Sequence, residues 1–342
     1  MQQRIARVVT DGGAEVAYAT VGPGTGRAIV YVAGWLGHLE RAWELPEERA
    51  FFEGLARGTR VVRYDRAGCG MSPPASPPAA PSLASELDQL DAVVATLGPE
   101  PFDLVGVSMG ATVAAAWTAA HPGAVRRLVL YGGWVSGMAV ASPGVREHLL
   151  GLVTAHWGLG SDVLTDVFAP DAGTALRAAI GRYQRASSSA AMARSLLALS
   201  YDLDIGGLLD AVRAPTLVVH REHDRAAPLA QGRALAAGIP GARLLVLPGR
   251  SHLPFVGDAA ALVAAIRRFL GLRAARAAAG ALTARQHEVA VLVGAGLTNR
   301  QIAARLGIEE RSAEGHVERI RQRLGFRSRA QIAAWQAEQS ER

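Results

Sequence analysis

The chain has no lysine. All 36 basic residues among its 342 are arginine, which, beside abundant alanine, marks a GC-rich coding bias rather than a chemical signal. Arginine's very high pKa makes the chain look more basic than its formal charge of +6. Cysteine is nearly absent: Cys69 alone excludes an internal disulfide and any cysteine-rich metal site, and fits a reducing compartment. No apolar leader follows Met1-Gln2-Gln3-Arg4, and glycine, arginine or aspartate interrupts every apolar run before it reaches bilayer-spanning length. These absences predict a soluble, cytoplasmic protein with no membrane partner, no metal and no cofactor.

What is present is a hydrophobic fraction of 50%, enough to bury a core domain of about 270 residues with a small appendage. Residues 4–19 read as a hairpin around Asp11-Gly12-Gly13. Short runs rich in valine and leucine follow at 27–33, 59–64, 102–107, 125–131, 216–220 and 242–247, alternating with helical segments. Runs without polar alternation suit strands buried on both faces of a parallel sheet, so the fold class is α/β.

From about 135 to 212 the rhythm breaks: helix-like stretches at 145–157, 174–186 and 191–203 occur with no strand between them. Such an insertion predicts a helical cap over the carboxyl edge of the sheet, where ligands of these folds bind. Met138, Trp157, Phe168, Tyr183, Met192 and Tyr201 offer the walls of an apolar chamber there, while for any one of them ordinary packing between cap helices is the commoner outcome. The proline-rich segment 72–82 reads as an extended surface loop. Beyond Leu270 a run of small residues and arginine, 271–281, reads as a linker between a domain at 1–270 and a wholly helical one at 282–342.

Gly106-Val107-Ser108-Met109-Gly110 is a G-x-S-x-G pattern, able to hold a nucleophilic serine on a tight strand-to-helix turn. Alone it is weak, since a shuffled chain of this composition yields roughly 0.2 such patterns. A serine hydroxyl needs an imidazole to take its proton and a carboxylate to fix that imidazole. Asp224 and His252 each lie just past a predicted strand, where a triad would converge. Glu222 competes for the acid, and His38, His220 and His223 for the base.

Residues 5–269 resemble an α/β-hydrolase with an intact serine triad. The resemblance is carried by YDRAGCGMS at 64–72, VGVSMGATVAAAWTAAHP from Val105, LVLYGG at 128–133, HREHDRAAP at 220–228 and GRSHLPF at 249–255. More narrowly, GHLERAWELPEERAFFEGLA at 37–56 and YDRAGCGMS look like the branch found fused to signalling output domains. The resemblance implies Ser108 as nucleophile, Asp224 as acid, because it stands four positions before Pro228, and His252 as base. An oxyanion hole of backbone N–H groups is then expected from Met109 and Trp35, although Ala33-Gly34-Trp35 replaces the His-Gly of many relatives. Asp65 and Cys69 read as structural members of a turn.

In the last sixty residues a helix is expected to begin at Thr283, a second near Thr298-Asn299 ending at Gly307, and a third at about 311–324. In the third, Ala313, Val317, Ile320 and Leu324 form one buried stripe opposite Ser312, His316, Arg319 and Arg323. Residues 296–331 resemble the LuxR-type helix-turn-helix over their whole length, which implies a DNA partner. Ten arginines against seven glutamates over 282–342 support this only moderately. Arg311, Arg319, Arg323 and Arg327 are candidates for phosphates, with Thr298 and Asn299 at a helix start, and Ser312 and His316 lie on the same face. Gly315 interrupts the base-reading region and weakens its helix. Two copies on adjacent half-sites predict a homodimer.

Two functions are compatible with this sequence. One is a DNA-binding transcription regulator whose hydrolase domain senses or hydrolyses a small acyl or ester ligand. The other is an active serine ester hydrolase with the helix-turn-helix as an accessory module.

Overall fold

The computed structural model describes residues 1–23, 26–75, 79–272, 282, 284–324, 326 and 328–340, with backbone only at 284, 323 and 337–340. The chain divides into two compact units, Met1–Leu272 and Arg273–Arg342. The linker expected at 271–281 falls almost wholly outside the described residues, as do Thr283 and Arg327.

In the first unit the hairpin strands β1 (Gln3–Val9) and β2 (Glu15–Val21) pair antiparallel, and β3 (Ala28–Val32) begins the parallel sheet. Helices α1 (Leu39–Glu44) and α2 (Pro46–Leu55) lead to β4 (Arg60–Tyr64), and α3 (Leu83–Ala95) leads to β5 (Phe102–Val107). Helix α4 (Met109–Ala120) and β6 (Val125–Tyr131) complete the half before the insertion. The eight-stranded sheet runs β1-β2-β4-β3-β5-β6, then β7 (Thr216–Arg221) and β8 (Arg243–Leu247). All its neighbours from β4 onward are parallel.

Strands β3, β5 and β7 are buried along their whole length, as their unbroken apolar runs predict, whereas the edge strands β1 and β8 are partly exposed. The pleat sorts side chains to opposite faces. Val30, Leu104 and Leu128 pack with α3 and α4; Ile29, Val105 and Val129 pack with Phe51, Phe52 and Leu55 of α2 and with Leu262 and Ile266 of the helix Ala259–Phe269. Helix α4 is alanine-rich and buried from Met109 to Thr118, so it needs no amphipathic face.

The insertion leaves and rejoins the sheet through one neck, an antiparallel bridge of Ser136 with Asp204. It holds α5 (Pro143–Ala155), α6 (Trp157–Phe168), α7 (Thr174–Ser187) and α8 (Ala190–Asp202). The expected helix at 145–157 stops short: α5 ends at Ala155, and the His156 ring accepts from the Leu159 N–H at 3.1 Å to start α6. Gly158 and Gly160 lie inside α6. A Cβ at Gly160 would come to 3.1 Å from the Val153 backbone, so that glycine serves the close crossing of α5 and α6.

The second unit packs α11 (Ala284–Gly294), α12 (Asn299–Leu306), α13 (Glu310–Leu324) and α14 (Arg329–Ser340), α9 (Leu229–Gly238) and α10 (Ala259–Phe269) having closed the first. Its core joins Val289 and Val293, Ile302, Ile332 and the stripe Ala313, Val317 and Ile320, with Leu324 packed against it. Gly307 ends α12 in the left-handed region, φ 63°. No described helix is long and apolar enough to cross a membrane.

Candidate functional site

Ser108 is the one described residue other than glycine with positive φ, at 57°, a conformation that costs about 1–3 kcal/mol and persists only where its surroundings impose it. The flanking glycines explain how. A Cβ at Gly106 would collide with the Gly110 carbonyl oxygen, and one at Gly110 would collide with the carbonyl oxygens of Val32 and Ala33. Strand β5 therefore delivers Ser108 to the carboxyl edge of the sheet and α4 departs from it at once, with the Ser108 N–H donating to Tyr131 O at 2.8 Å.

Asp224 and His252 leave the carboxyl ends of β7 and β8 and meet: His252 Nδ1 lies 2.8 Å from Asp224 Oδ2. The other carboxylate oxygen accepts from the Ala226 and Ala227 N–H groups at 2.9 and 3.1 Å. Burial works against the charge on Asp224, but His252, its hydrogen bond, His220 and the Ala227 amide hold the carboxyl below the usual carboxylate range. With Nδ1 committed to Asp224, Nε2 is the ring nitrogen left for the cavity that His252 and Ser108 both wall.

The competing residues sit elsewhere. His38 caps α1 through Nδ1, and His223 and Glu222 are exposed. His220 is buried with Nε2 on the Ala227 carbonyl at 2.8 Å, and burial pushes its imidazole down against the pull of Ala227 and Asp224. Asp65 is structural in part, accepting from the Leu39 and Met71 N–H groups at 2.9 Å each. Cys69 is buried in the same turn.

The Met109 N–H, first in α4, and the Trp35 N–H donate to no acceptor among the described residues. The loop carrying Trp35 is held by Arg66, whose guanidinium donates to the carbonyls of Ala33 and Gly34 and, through Nε, to Glu86 at 2.5 Å. Both partners of that ion pair are almost wholly buried. The loop carrying His252 is held twice. The buried Arg221 donates to the Pro248 and Val256 carbonyls on either side of it, at 3.0 and 2.8 Å. Phe168 O, at the end of cap helix α6, accepts from the His252 and Leu253 N–H groups at 2.7 and 3.3 Å.

The cavity before Ser108 encloses about 80 Å³ into which water-sized atoms fit, several times what one water needs. Of the six side chains offered as walls of an apolar chamber, only Phe168 and Tyr183 line it. Trp157, Met192 and Tyr201 pack into the core beneath the cap, Trp157 edge-on to Trp35 at 6.0 Å, and Met138 is exposed. Those large side chains shield the sheet instead. The cavity extends to a polar wall that the sequence reasoning missed: Tyr31 of β3, Glu48 of α2, and Arg63 and Asp65 at the end of β4. A readable signal existed for Glu48, which falls in line with Phe51, Phe52 and Leu55 at i+3, i+4 and i+7, a carboxylate on a buried stripe.

In the second unit Arg311, Ser312 and Arg319 are exposed on α13 and His316 is half-buried, its imidazole pushed down by burial and by Arg319 and Arg285. The side chain of Arg323 lies outside the described residues. Thr298 and Asn299 are engaged otherwise than as free phosphate holders. The Thr298 hydroxyl and Gln301 form a capping box for α12, and Asn299 Oδ1 accepts from Arg329 at 2.7 Å. Helix α13 continues through Gly315.

Residues 27–259 match the family described as alpha/beta hydrolase fold, and residues 280–336 match that of bacterial regulatory proteins, luxR family. The chain is 27% identical over 266 residues to pyrrolizixenacetamide deacetylase of Xenorhabdus hominickii, covering 76% of this chain and 96% of that one. It is 33% identical over 216 residues to 2-hydroxy-6-oxononadienedioate/2-hydroxy-6-oxononatrienedioate hydrolase 2 of Pseudomonas putida, covering 58% and 72%. Among solved structures, the enol-lactonase of Burkholderia xenovorans LB400 superposes with a TM-score of 0.64 at 25% identity, over 78% of this chain and 100% of that one.

Proposed function

Since the chain belongs to the alpha/beta hydrolase fold family and ends in a DNA-binding domain of the luxR regulatory family, we propose that it is a transcription regulator whose hydrolase domain binds and turns over a small acyl or ester ligand. The observation that carries this is the joining, in one chain, of a walled cavity before Ser108 and a helix-turn-helix unit. A purely metabolic enzyme has no use for the second.

The chemistry follows from the geometry of the cavity. Ser108 Oγ attacks the ligand carbonyl as His252 Nε2 takes its proton. Asp224 holds Nδ1–H and so fixes both the tautomer and the charge that develops. The N–H groups of Met109 and Trp35, unspent among the described residues, receive the oxyanion. His252 then protonates the leaving alcohol or amine, and water repeats the sequence on the acyl-enzyme. A deacetylase and an enol-lactonase among the similar proteins accord with an acyl group as the target.

Output would pass through α13, with Arg311 and Arg319 on phosphates and two copies of the chain on adjacent half-sites. The test is binding of the full chain to its own upstream DNA across a salt series. We expect affinity to fall with salt, Arg319→Ala to weaken it on every sequence and reduce the salt slope by about 1, and an acyl ligand to change it. Salt-insensitive or absent binding with and without ligand refutes regulation.

A second function, hydrolysis with the helix-turn-helix as accessory, is favoured by the strained Ser108 turn and the complete Asp224–His252 pair. Fluorophosphonate labelling of wild type but not Ser108→Ala is expected. Absence of label on both would leave a binding pocket without turnover.

A further inference from the structure

The polar wall of the cavity is out of place in a chamber meant only for an acyl chain. Glu48 is 7% exposed, its Oε2 is buried without a hydrogen-bond partner, and no ion pair reaches it among the described residues. The cation that bears on it, Arg63, has one nitrogen committed elsewhere. Its Nη2 donates to Gln3 Oε1 and Leu39 O at 2.7 and 2.9 Å, and its guanidinium lies over the rings of Phe52 and Trp43 at 4.4 and 5.3 Å. Asp65, on the same wall, adds a second acid beside it. Tyr31 from β3 and Tyr183 from α7 also face Glu48, and Tyr183 already receives the His38 N–H at 3.2 Å. Burial pushes the Glu48 carboxyl up to about 7, against Arg63 and with Asp65.

Two acids therefore bear on one arginine that makes no ion pair with Glu48 and whose own Nε is buried without a partner. A buried carboxyl left unpaired costs about 1–3 kcal/mol or more, and no hydrogen bond or ion pair among the described residues relieves Glu48 Oε2. The wall shares its cavity with Ser108 and His252, so whatever relieves it enters with the ligand. We propose that Glu48 forms a subsite for an ammonium group on the ligand, at the end remote from the carbonyl that Ser108 attacks. The ligand is then an ω-amino acyl compound rather than a plain fatty ester. A carboxylate at that end is rejected by the two acids, and a methyl group leaves Glu48 unpaired. This rests on the cavity being the ligand site, as proposed above.

The test uses three ethyl esters of matched length: ethyl 6-aminohexanoate, ethyl hexanoate and monoethyl adipate, with an eight-carbon set alongside to allow for reach. Hydrolysis is followed in a pH-stat at pH 8. In the wild type, kcat/KM is expected to favour the amino ester over the alkyl ester by about tenfold or more, the order of a charge-assisted hydrogen bond, with the acid ester poorest. Glu48→Gln is expected to shrink the amino-to-alkyl ratio at least tenfold, and Glu48→Leu to invert it. Because the ratio is internal to each preparation, partial misfolding does not alter it. The same three esters are scored for thermal stabilisation of Ser108→Ala with and without Glu48→Gln. A ratio unchanged across wild type, Glu48→Gln and Glu48→Leu overturns the subsite even where fluorophosphonate labels Ser108. An amino preference in Ser108→Ala that vanishes with Glu48→Gln sustains the subsite even where the wild type neither labels nor hydrolyses.

Discussion

Replacing Glu48 by glutamine should make the hydrolase unit more stable in alkaline solution than in acid, relative to the wild type. In the folded protein burial raises this carboxyl from its ordinary 4.5 to about 7. A raised acid favours the fold while neutral: its contribution is complete below pH 4.5 and is lost as pH rises through 7. At 1.36 kcal/mol for each pH unit between the two values, ionisation weakens the wild-type fold by about 3 kcal/mol. Glutamine keeps the shape, does not titrate, and escapes that loss.

For a unit of this size about 1 kcal/mol moves the midpoint by roughly 2 °C, so the melting temperature of Glu48→Gln should gain on wild type by about 6 °C between pH 5 and 8.5. The assay is thermal unfolding of both proteins across that range, scored on the transition of the larger unit because a two-unit chain need not melt as one. Other titrating groups are common to both proteins and cancel in the difference. A difference that stays flat from pH 5 to 8.5 would refute the claim that Glu48 ionises at a cost inside the fold. An ammonium ligand should erase the difference at pH 8.5 by pairing with the wild-type carboxylate.

Two further outcomes follow from the loops around Ser108. Asp224→Asn keeps the oxygen for the Ala226 and Ala227 N–H groups but turns an amide NH2 toward His252 Nδ1, forcing the proton onto Nε2; ester turnover should fall by about 10⁴ in kcat with little change in KM, and a loss below tenfold would deny His252 its role as base. Arg66→Met leaves Glu86 buried without its partner and frees the Ala33 and Gly34 carbonyls; a loss of about 3–5 kcal/mol in denaturant unfolding is expected, whereas the double change Arg66→Met with Glu86→Leu should recover most of the stability and little of the activity. Recovery of both would show that the Trp35 loop does not depend on Arg66.

Much of this was legible in the sequence because it is written locally. The unbroken valine runs of β3, β5 and β7 report two-sided burial, and G-x-S-x-G reports a turn whose sterics only glycine satisfies. The α12 cap is spelled out as Thr298 and Gln301 three residues apart. What failed depends on contacts between distant segments. The expected helix at 145–157 misses the break at His156 and the start of α6, because propensity cannot know that Val153 of α5 will press against Gly160. Which apolar cap residues reach the chamber is not legible, because size and hydrophobicity do not say which side of a helix faces a cavity and which faces the sheet; Trp157 packs on Trp35. Glu48 and Arg63 lie fifteen positions apart, and nothing in either neighbourhood announces that the arginine will be engaged by Gln3 and Leu39.

The cap gives the ligand something to act on. Phe168, at the end of α6, holds the His252 loop through its carbonyl and packs its ring 6.2 Å from Trp35, so one cap helix touches both the His252 loop and the Trp35 loop. A ligand that reverses a two-state equilibrium from 1:99 to 99:1 must favour one state by about 5.5 kcal/mol. A charge-assisted hydrogen bond at Glu48 supplies about 1.5–3 kcal/mol of that. Four methylenes buried along Phe168 and its neighbours supply about 3 more at roughly 0.8 each. Neither end suffices alone, so an alkyl ester or a short amine should occupy the cavity without switching DNA affinity, while a chain joining the two should switch it.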